Sequence, residues 1–298
     1  MLTCGGAPAR VEGAVGVPEW EALAEFYDEK QGDTGDLWHR ALIDPVLFAC
    51  IGTLPAGTRV LDLGCGNGYI ARRLSRAGAR VVGVDSGQRI IGLARARESV
   101  DPLGIDYQCS DAGQLGFLRT ASFDLVVSNM ALMDMADAAA PLGEAGRLLK
   151  SGGRLVASIC HPCFDTGFCA WSLERIERRS TVYRKVTGYR ALAATTGPWV
   201  LPDGSEARTP YYHRPLSWYA RALSDSGLLI RRLEEPAPLP ELLSKNHSPQ
   251  GEWINEVPLH LVIEAVRADL PLTVPAGATM RSPDGHRRRP SASSLRRR

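Results

Sequence analysis

The sequence predicts an α/β protein whose core is a parallel sheet with right-handed crossovers, and three observations carry that reading. Short apolar stretches alternate with helix-patterned ones from about residue 58 to 159. The first, Val60-Leu61-Asp62-Leu63, runs into a glycine-rich junction, Gly64-Cys65-Gly66-Asn67-Gly68, ahead of a helix. The second strand, Arg80-Val81-Val82-Gly83-Val84, stops at an acid, Asp85.

Glycines where a strand becomes a helix permit positive φ and let backbone N–H groups approach a ligand. Their spacing narrows the ligand. A dinucleotide fingerprint, G-x-G-x-x-G, needs its third glycine one residue after Gly68, where Tyr69 stands. No Lys-Ser/Thr follows, which excludes a phosphate-cradling P-loop. A nucleoside without a pyrophosphate remains. Helical spacing then continues from Tyr69 to Arg76, with Ile70, Ala71, Leu74 and Ala77 on one face and Gly78 as the expected C-cap. Asp85, at the tip of the second strand, is placed to accept two hydrogen bonds from ribose hydroxyls. Alone it could equally cap the next helix; with the glycine junction it points to a nucleoside.

These residues carry a family resemblance. VLDLGCGNGY (60–69) followed by VVGVD (81–85) resembles motifs I and II of the class I S-adenosylmethionine-dependent methyltransferases, in particular the bacterial type 11 group, over about Trp20 to Val266. Asp111-Ala112, after a strand Ile105 to Cys109, is similar to that family's adenine-contact position. Phe123 to Met130 resembles its fourth strand and active-site end, and Leu148 to Leu155 its helix, tight turn and fifth strand. The resemblance implies a Rossmann-like, seven-stranded, mostly parallel sheet with helices on both faces, closed by an antiparallel pair. It also implies an N-terminal helical cap, an inserted lid after strand five, and S-adenosyl-L-methionine as cofactor with S-adenosyl-L-homocysteine as product. On the same ground the cofactor-binding residues are Asp62, Gly64, Cys65, Gly66, Gly68, Asp85, Ser86, Asp111, Ala112, Asn129 and Met130.

The rest of the chain is organised around that core. Residues 1–17 show no period and are expected to be disordered. One domain spans 18–268. Its cap, 18–56, opens at Pro18 with Trp20, Leu23, Ala24 and Tyr27 at helical spacing, turns at 32–36, and resumes with Asp44-Pro45 as N-cap and first residue of a helix to about Thr53. From 160 to 213 the period disappears, yet Trp171, Trp199 and several tyrosines mark a packed insertion suited to a substrate lid. Pro215 to Ser226 regains helical spacing, and Leu228 to Leu233 and Leu259 to Val266 read as the last strands. Residues 269–298 form a basic, disordered tail.

Displacement at a sulfonium methyl asks mainly for alignment and exclusion of water, so a strong cofactor site and a weak catalytic one are expected. His161, directly after strand five, and His213, where the insertion rejoins the core, are the candidate bases; His161 serves equally to order the start of the lid. Asp134 either orients an amine or caps the next helix, and capping is the commoner role. Tyr27, Trp38, His39 and Tyr212 are candidate substrate contacts, and Arg40 a partner for the cofactor carboxylate; core packing explains Tyr27 and Trp38 as well. Cys160-His161-Pro162-Cys163 with Cys169 offers a C-x-x-C, but no second C-x-x-C or H-x₃-H supplies four ligands, so no metal is expected.

Composition bounds the partners. Residues 281–298 carry a net +6 against +2 for the chain, leaving a body of −4. Nucleic-acid phosphates favour a basic face, so a nucleic-acid substrate is disfavoured. No run approaches eighteen apolar residues and the first nineteen lack a signal-peptide pattern, so no membrane association and a cytoplasmic location are expected, with the seven cysteines as reduced thiols. The expected function is methylation of an oxygen or nitrogen of a small-molecule substrate in a lidded pocket. The alternatives are a noncatalytic or non-methylating cofactor binder, a methyltransferase acting on a macromolecule, and a nicotinamide oxidoreductase, which the glycine spacing argues against. Arginine outnumbers lysine 31 to 4, an association with GC-rich sources that suggests natural-product biosynthesis.

Overall fold

The computed structural model describes residues 18–167, 169–176, 179–245 and 255–268. The expected disordered segments 1–17 and 269–298 lie outside the described residues. The cap consists of α1 (Pro18–Ala22), α2 (Ala24–Gln31) and a continuous helical run from Leu37 through a π-helical turn (His39–Ile43) into α3 (Asp44–Ile51). The helix start expected at Asp44 is therefore corrected. Pro45 has no N–H to offer the carbonyl four residues back, and the run widens just before it, the Asp44 N–H bonding the His39 carbonyl.

Strands and helices then alternate: β1 (Arg59–Leu63), α4 (Tyr69–Arg76), β2 (Arg80–Asp85), α5 (Gln88–Val100), β3 (Asp106–Cys109), β4 (Phe123–Asn129), a 3₁₀ turn (Leu132–Asp134), α6 (Ala139–Leu148) and β5 (Leu149–Cys160). The tight turn expected between α6 and β5 is a bulge within β5. Register against β4 jumps from the Phe123–Leu149 pair to Leu125–Arg154, and Gly152, at φ 70°, absorbs the extra residues.

The insertion after β5 is not irregular. It forms two antiparallel hairpins, β6 (Cys169–Ile176) with β7 (Arg179–Val186) and β8 (Ala193–Val200) with β9 (Glu206–His213). Its two-residue period is weak because neither hairpin buries a whole face; in β8 only Thr195 is buried. The chain finishes with α7 (Leu216–Asp225), β10 (Leu228–Glu234), α8 (Pro240–Lys245) and β11 (His260–Arg267). Helix α8, six residues long and too short to show a period, packs Leu242 against Ala41, Leu42 and Ile43 of the cap.

One sheet has the order β10-β11-β5-β4-β1-β2-β3. Strands β1 to β5 are mutually parallel, and β11 runs antiparallel between β5 and β10. The expected seven-stranded, mostly parallel sheet with an antiparallel closing pair is what forms. Alternate residues feed two apolar layers: Leu61, Leu63 and Val126 with Leu142 and Leu148 on one face, Val60, Leu125 and Val127 with Leu74 and Ile91 on the other. Parallel pairing brings the carboxyl ends of β1, β2 and β4 to one edge, beneath the cap, where open α/β sheets bind ligands. Among the described residues no helix is long and apolar enough to cross a membrane.

Candidate active site

A cavity of about 510 Å³ opens at that edge, and the glycine junction is its floor. Gly64, Gly66 and Gly68 all have positive φ (75°, 53° and 79°). At Gly64 a Cβ would lie 2.4 Å from the Ala131 Cβ, so two loops meet only because it has none. At Gly66 a Cβ would enter the space before the Tyr27 ring, 3.5 Å away. Asp85 fastens the loop: one carboxylate oxygen accepts the Gly66 N–H and the other the Gly87 N–H, each at 2.9 Å. A carboxylate offers about four lone-pair sites, so two remain for a ligand's hydroxyls. Burial raises the Asp85 carboxyl above its usual range, and the Gly87 and Gly66 amides pull the other way.

The cap is clamped onto the loop from above. The Asn67 amide donates to Asp28 Oδ1 and the Gly32 carbonyl, both at 2.9 Å, and the buried Arg72 donates to the Asn67 and Gly32 carbonyls and to Asp33. Trp20 and Tyr27 then roof the cavity, and Trp199 of β8 packs edge-on against both, at 5.6 and 6.1 Å between ring centroids. Pro210 and Tyr212 of β9 form the opposite wall. The insertion therefore contributes directly to the cavity.

The end of β4 supplies the third side. Asn129 donates from Nδ2 to the Tyr69 hydroxyl and accepts from the Ser158 hydroxyl, and Tyr69 in turn donates to Asp44, which Arg73 neutralises. Met130 follows at φ 53°, a strained conformation for a side-chain-bearing residue, held by its N–H bonding both Ser158 oxygens at 3.0 Å. Tyr69, the residue that displaced the dinucleotide glycine, thus ties α4 to the end of β4. Its spacing was visible in the sequence, but its partners, 25 and 60 residues away, were not.

Of the residues singled out in the sequence, Gly64, Gly66, Asp85, Ser86, Asp111, Ala112, Asn129, Met130, Tyr27, Asp134 and Tyr212 all line this cavity. Others do not. Gly68 is the N-cap of α4, where a Cβ would overlap the Tyr107 hydroxyl at 2.2 Å. The Cys65 thiol points below the loop, beside Gly83. Trp38 packs with Leu242 and Ile43. His39 Nδ1 lies 2.8 Å from Asp36 Oδ1, and Arg40 bonds the Gly35 carbonyl rather than facing the cavity.

Both candidate histidines sit outside the cavity. His161 accepts the Cys163 N–H at Nδ1 and so donates from Nε2 to Glu235, at 3.1 and 3.0 Å; burial lowers its pKa, and Glu235 opposes that. His213 Nε2 faces the Tyr189 carbonyl at 2.9 Å. These contacts fit the ordering role for His161. His161→Ala is expected to cost about 1–2 kcal/mol of stability, by orphaning the Cys163 N–H, and to leave cofactor affinity unchanged in a titration. Among the described residues, no group of three or more His, Cys, Asp or Glu side chains is arranged to hold a metal.

Asp62 lies under the loop, buried, with Oδ2 unpartnered among the described residues. Burial pushes its carboxyl up to about 7, against the Ala71 amide and with the Asp85 charge. The folded protein keeps this proton between about pH 4 and 7 while the unfolded chain loses it, so this group's contribution to stability falls as pH rises through that window. Asp62→Asn should remove that slope and, because its NH₂ inherits the unpartnered position, gain only about 1–2 kcal/mol at pH 8 by denaturant melts.

Asp134 lines the cavity and does not cap α6. Asp137 does that, accepting the Ala139 and Ala140 N–H groups at 3.0 and 3.2 Å. The loop carrying both acids is held by Arg214, a buried residue with no role assigned from sequence. Its guanidinium donates to the carbonyls of Met135 and Ala136, at 2.6 and 2.8 Å, and lies over the Trp218 ring.

The family profile described as "Methyltransferase domain" matches residues 61–157. The ubiquinone biosynthesis O-methyltransferase of Nitrosococcus oceani is 36% identical over 144 residues, 48% of this chain and 60% of that protein. The enzyme of the same name from Xanthomonas oryzae is 35% identical over 103 residues, 35% of this chain and 43% of that one. The chain thus spans about half the length of these curated relatives. A solved S-adenosylmethionine-dependent methyltransferase from Mesorhizobium loti aligns with a TM-score of 0.59 and 28% identity over 75% of this chain and 96% of its own. A putative one from Listeria monocytogenes aligns with a TM-score of 0.59 and 25% identity over 74% and 96%.

Proposed function

The α/β core of this chain belongs to the class I S-adenosylmethionine-dependent methyltransferases, and from that premise we propose that the protein methylates an oxygen or nitrogen of a small molecule held between the cap and β9. The observation that carries the proposal is the paired grip of Asp85 and the glycine loop at the floor of a roofed cavity. The residues fit the cofactor. Asp85 has lone pairs left for ribose hydroxyls, Gly66 leaves space that a side chain would fill, and Asp111 to Gly113 with Ile90 line the part of the cavity beyond β2 and β3 suited to adenine.

When bound, the cofactor supplies an activated methyl on a sulfonium. This chain's residues then have to place the acceptor and exclude water. Trp20, Tyr27 and Tyr212 do the second by roofing and walling the cavity. The relatives named for ubiquinone biosynthesis act on oxygen, by their names, and their alignment covers at most half of this chain. The acceptor class proposed is therefore a biosynthetic small molecule, with natural-product biosynthesis as one setting for it. The test is to give purified protein methyl-labelled cofactor and a metabolite extract of its source. A labelled small-molecule product supports the proposal; label found only on protein or nucleic acid, or nowhere, contradicts it.

A further inference from the structure

The charge on the cavity wall says more about the acceptor. Five carboxylates line it, those of Glu21, Asp85, Asp111, Asp134 and Asp137, and among the described residues no lysine, arginine or histidine does. Four of the five have other work. Asp85 holds the loop, Asp111 accepts the Gly113 N–H at 2.7 Å, and Asp137 caps α6. Glu21 faces the Arg89 N–H at the rim. Asp134 differs, because among the described residues its carboxylate makes no hydrogen bond or ion pair.

The groups that feel the Asp134 charge come from every side: Tyr27 on α2, Asp85 on β2, Cys160 on β5, Tyr211 on β9 and Tyr219 on α7. None is a cation. The nearby Arg214 turns its guanidinium to backbone carbonyls. Burial and the Asp85 charge raise the Asp134 carboxyl well above its usual range. Asp134 is half-buried on the cavity wall, where a partly desolvated charge without a partner is unfavourable and an incoming cation relieves it. The aromatic rings of Trp20, Tyr27 and Tyr212 line the same space and are compatible with a cation, whereas an anionic acceptor would meet the Asp134 and Asp137 carboxylates.

We propose that the acceptor carries an amine, and that Asp134 grips its ammonium and takes the proton the nitrogen must lose before it attacks. The inference rests on the methyl-transfer reading above. The ammonium gives one proton to the carboxylate, which frees the nitrogen lone pair. That pair forms the N–C bond to the transferred methyl while the C–S bond breaks, its electrons staying on sulfur. The methylated nitrogen leaves as an ammonium, and Asp134 returns its proton to solvent.

The test uses the full chain saturated with S-adenosylhomocysteine and three probes of one skeleton: benzylamine, benzyl alcohol and benzoate. Calorimetry is expected to show benzylamine binding at least tenfold tighter than the other two. Asp134→Asn should erase that preference and Asp134→Glu should keep it, while S-adenosylhomocysteine binds all three proteins alike. Equal or absent binding of benzylamine, or a preference that survives in the Asn variant, overturns the proposal. So does loss of S-adenosylhomocysteine affinity confined to Asp134→Asn, which would give the residue to the cofactor. Failure of the wild type to bind S-adenosylhomocysteine would instead sink the underlying methyl-transfer reading, and the two failures are thereby told apart.

Discussion

Asp85→Ala is expected to weaken S-adenosylhomocysteine binding by about 30- to 1,000-fold, roughly 2–4 kcal/mol. Two losses add. The ribose hydroxyls lose a charged acceptor, a contact worth about 1.5–3 kcal/mol. The Gly66 and Gly87 N–H groups also lose theirs, and the loop that forms the cavity floor is released. Asp85→Asn separates the two, since its amide can accept from only one of the N–H groups and should fall between wild type and Ala. A titration showing Asp85→Ala within threefold of wild type would remove the residue from the site.

Gly64→Ala is expected to abolish measurable cofactor binding. At φ 75° a Cβ costs about 1–2 kcal/mol in backbone strain. The larger effect is steric: the new methyl would lie 2.4 Å from the Ala131 Cβ and 3.3 Å from the Met135 Cε, driving the loop that carries Asp134 away from the floor. Ala131→Gly in the same chain should relieve the overlap but not the φ strain. The double variant is therefore predicted to recover binding to within about 1–2 kcal/mol of wild type. If the double variant binds no better than Gly64→Ala alone, the clash is not the cause.

The sequence made the core legible because its signals are local. The glycine spacing and the acid at the end of β2 fall within residues 64–85, and each apolar stretch is a short run that corresponds to one strand of the sheet. The insertion was harder. Its four strands form two hairpins that bury too little to show alternation, so Trp199 could be noticed but not placed against Trp20 and Tyr27, more than 170 residues earlier. The histidines misled for a related reason. Position after β5 marks His161 as near the site, but its side chain is turned away by Cys163 and Glu235, contacts that no periodicity encodes. Capping is the commoner role for an acid such as Asp134, but the helix starts at Ala139 and it is Asp137, not singled out in the sequence, that caps it. Arg214 gave no signal, because its partners are carbonyls.

The account stands on the claim that Asp85 and the glycine loop bind an adenosyl group carrying no diphosphate. Calorimetry of the purified chain against S-adenosylhomocysteine and, separately, a nicotinamide dinucleotide tests it most directly. Binding of the first, lost in Asp85→Ala, with no heat from the second is the predicted result. Uptake of the dinucleotide with no response to S-adenosylhomocysteine would contradict it.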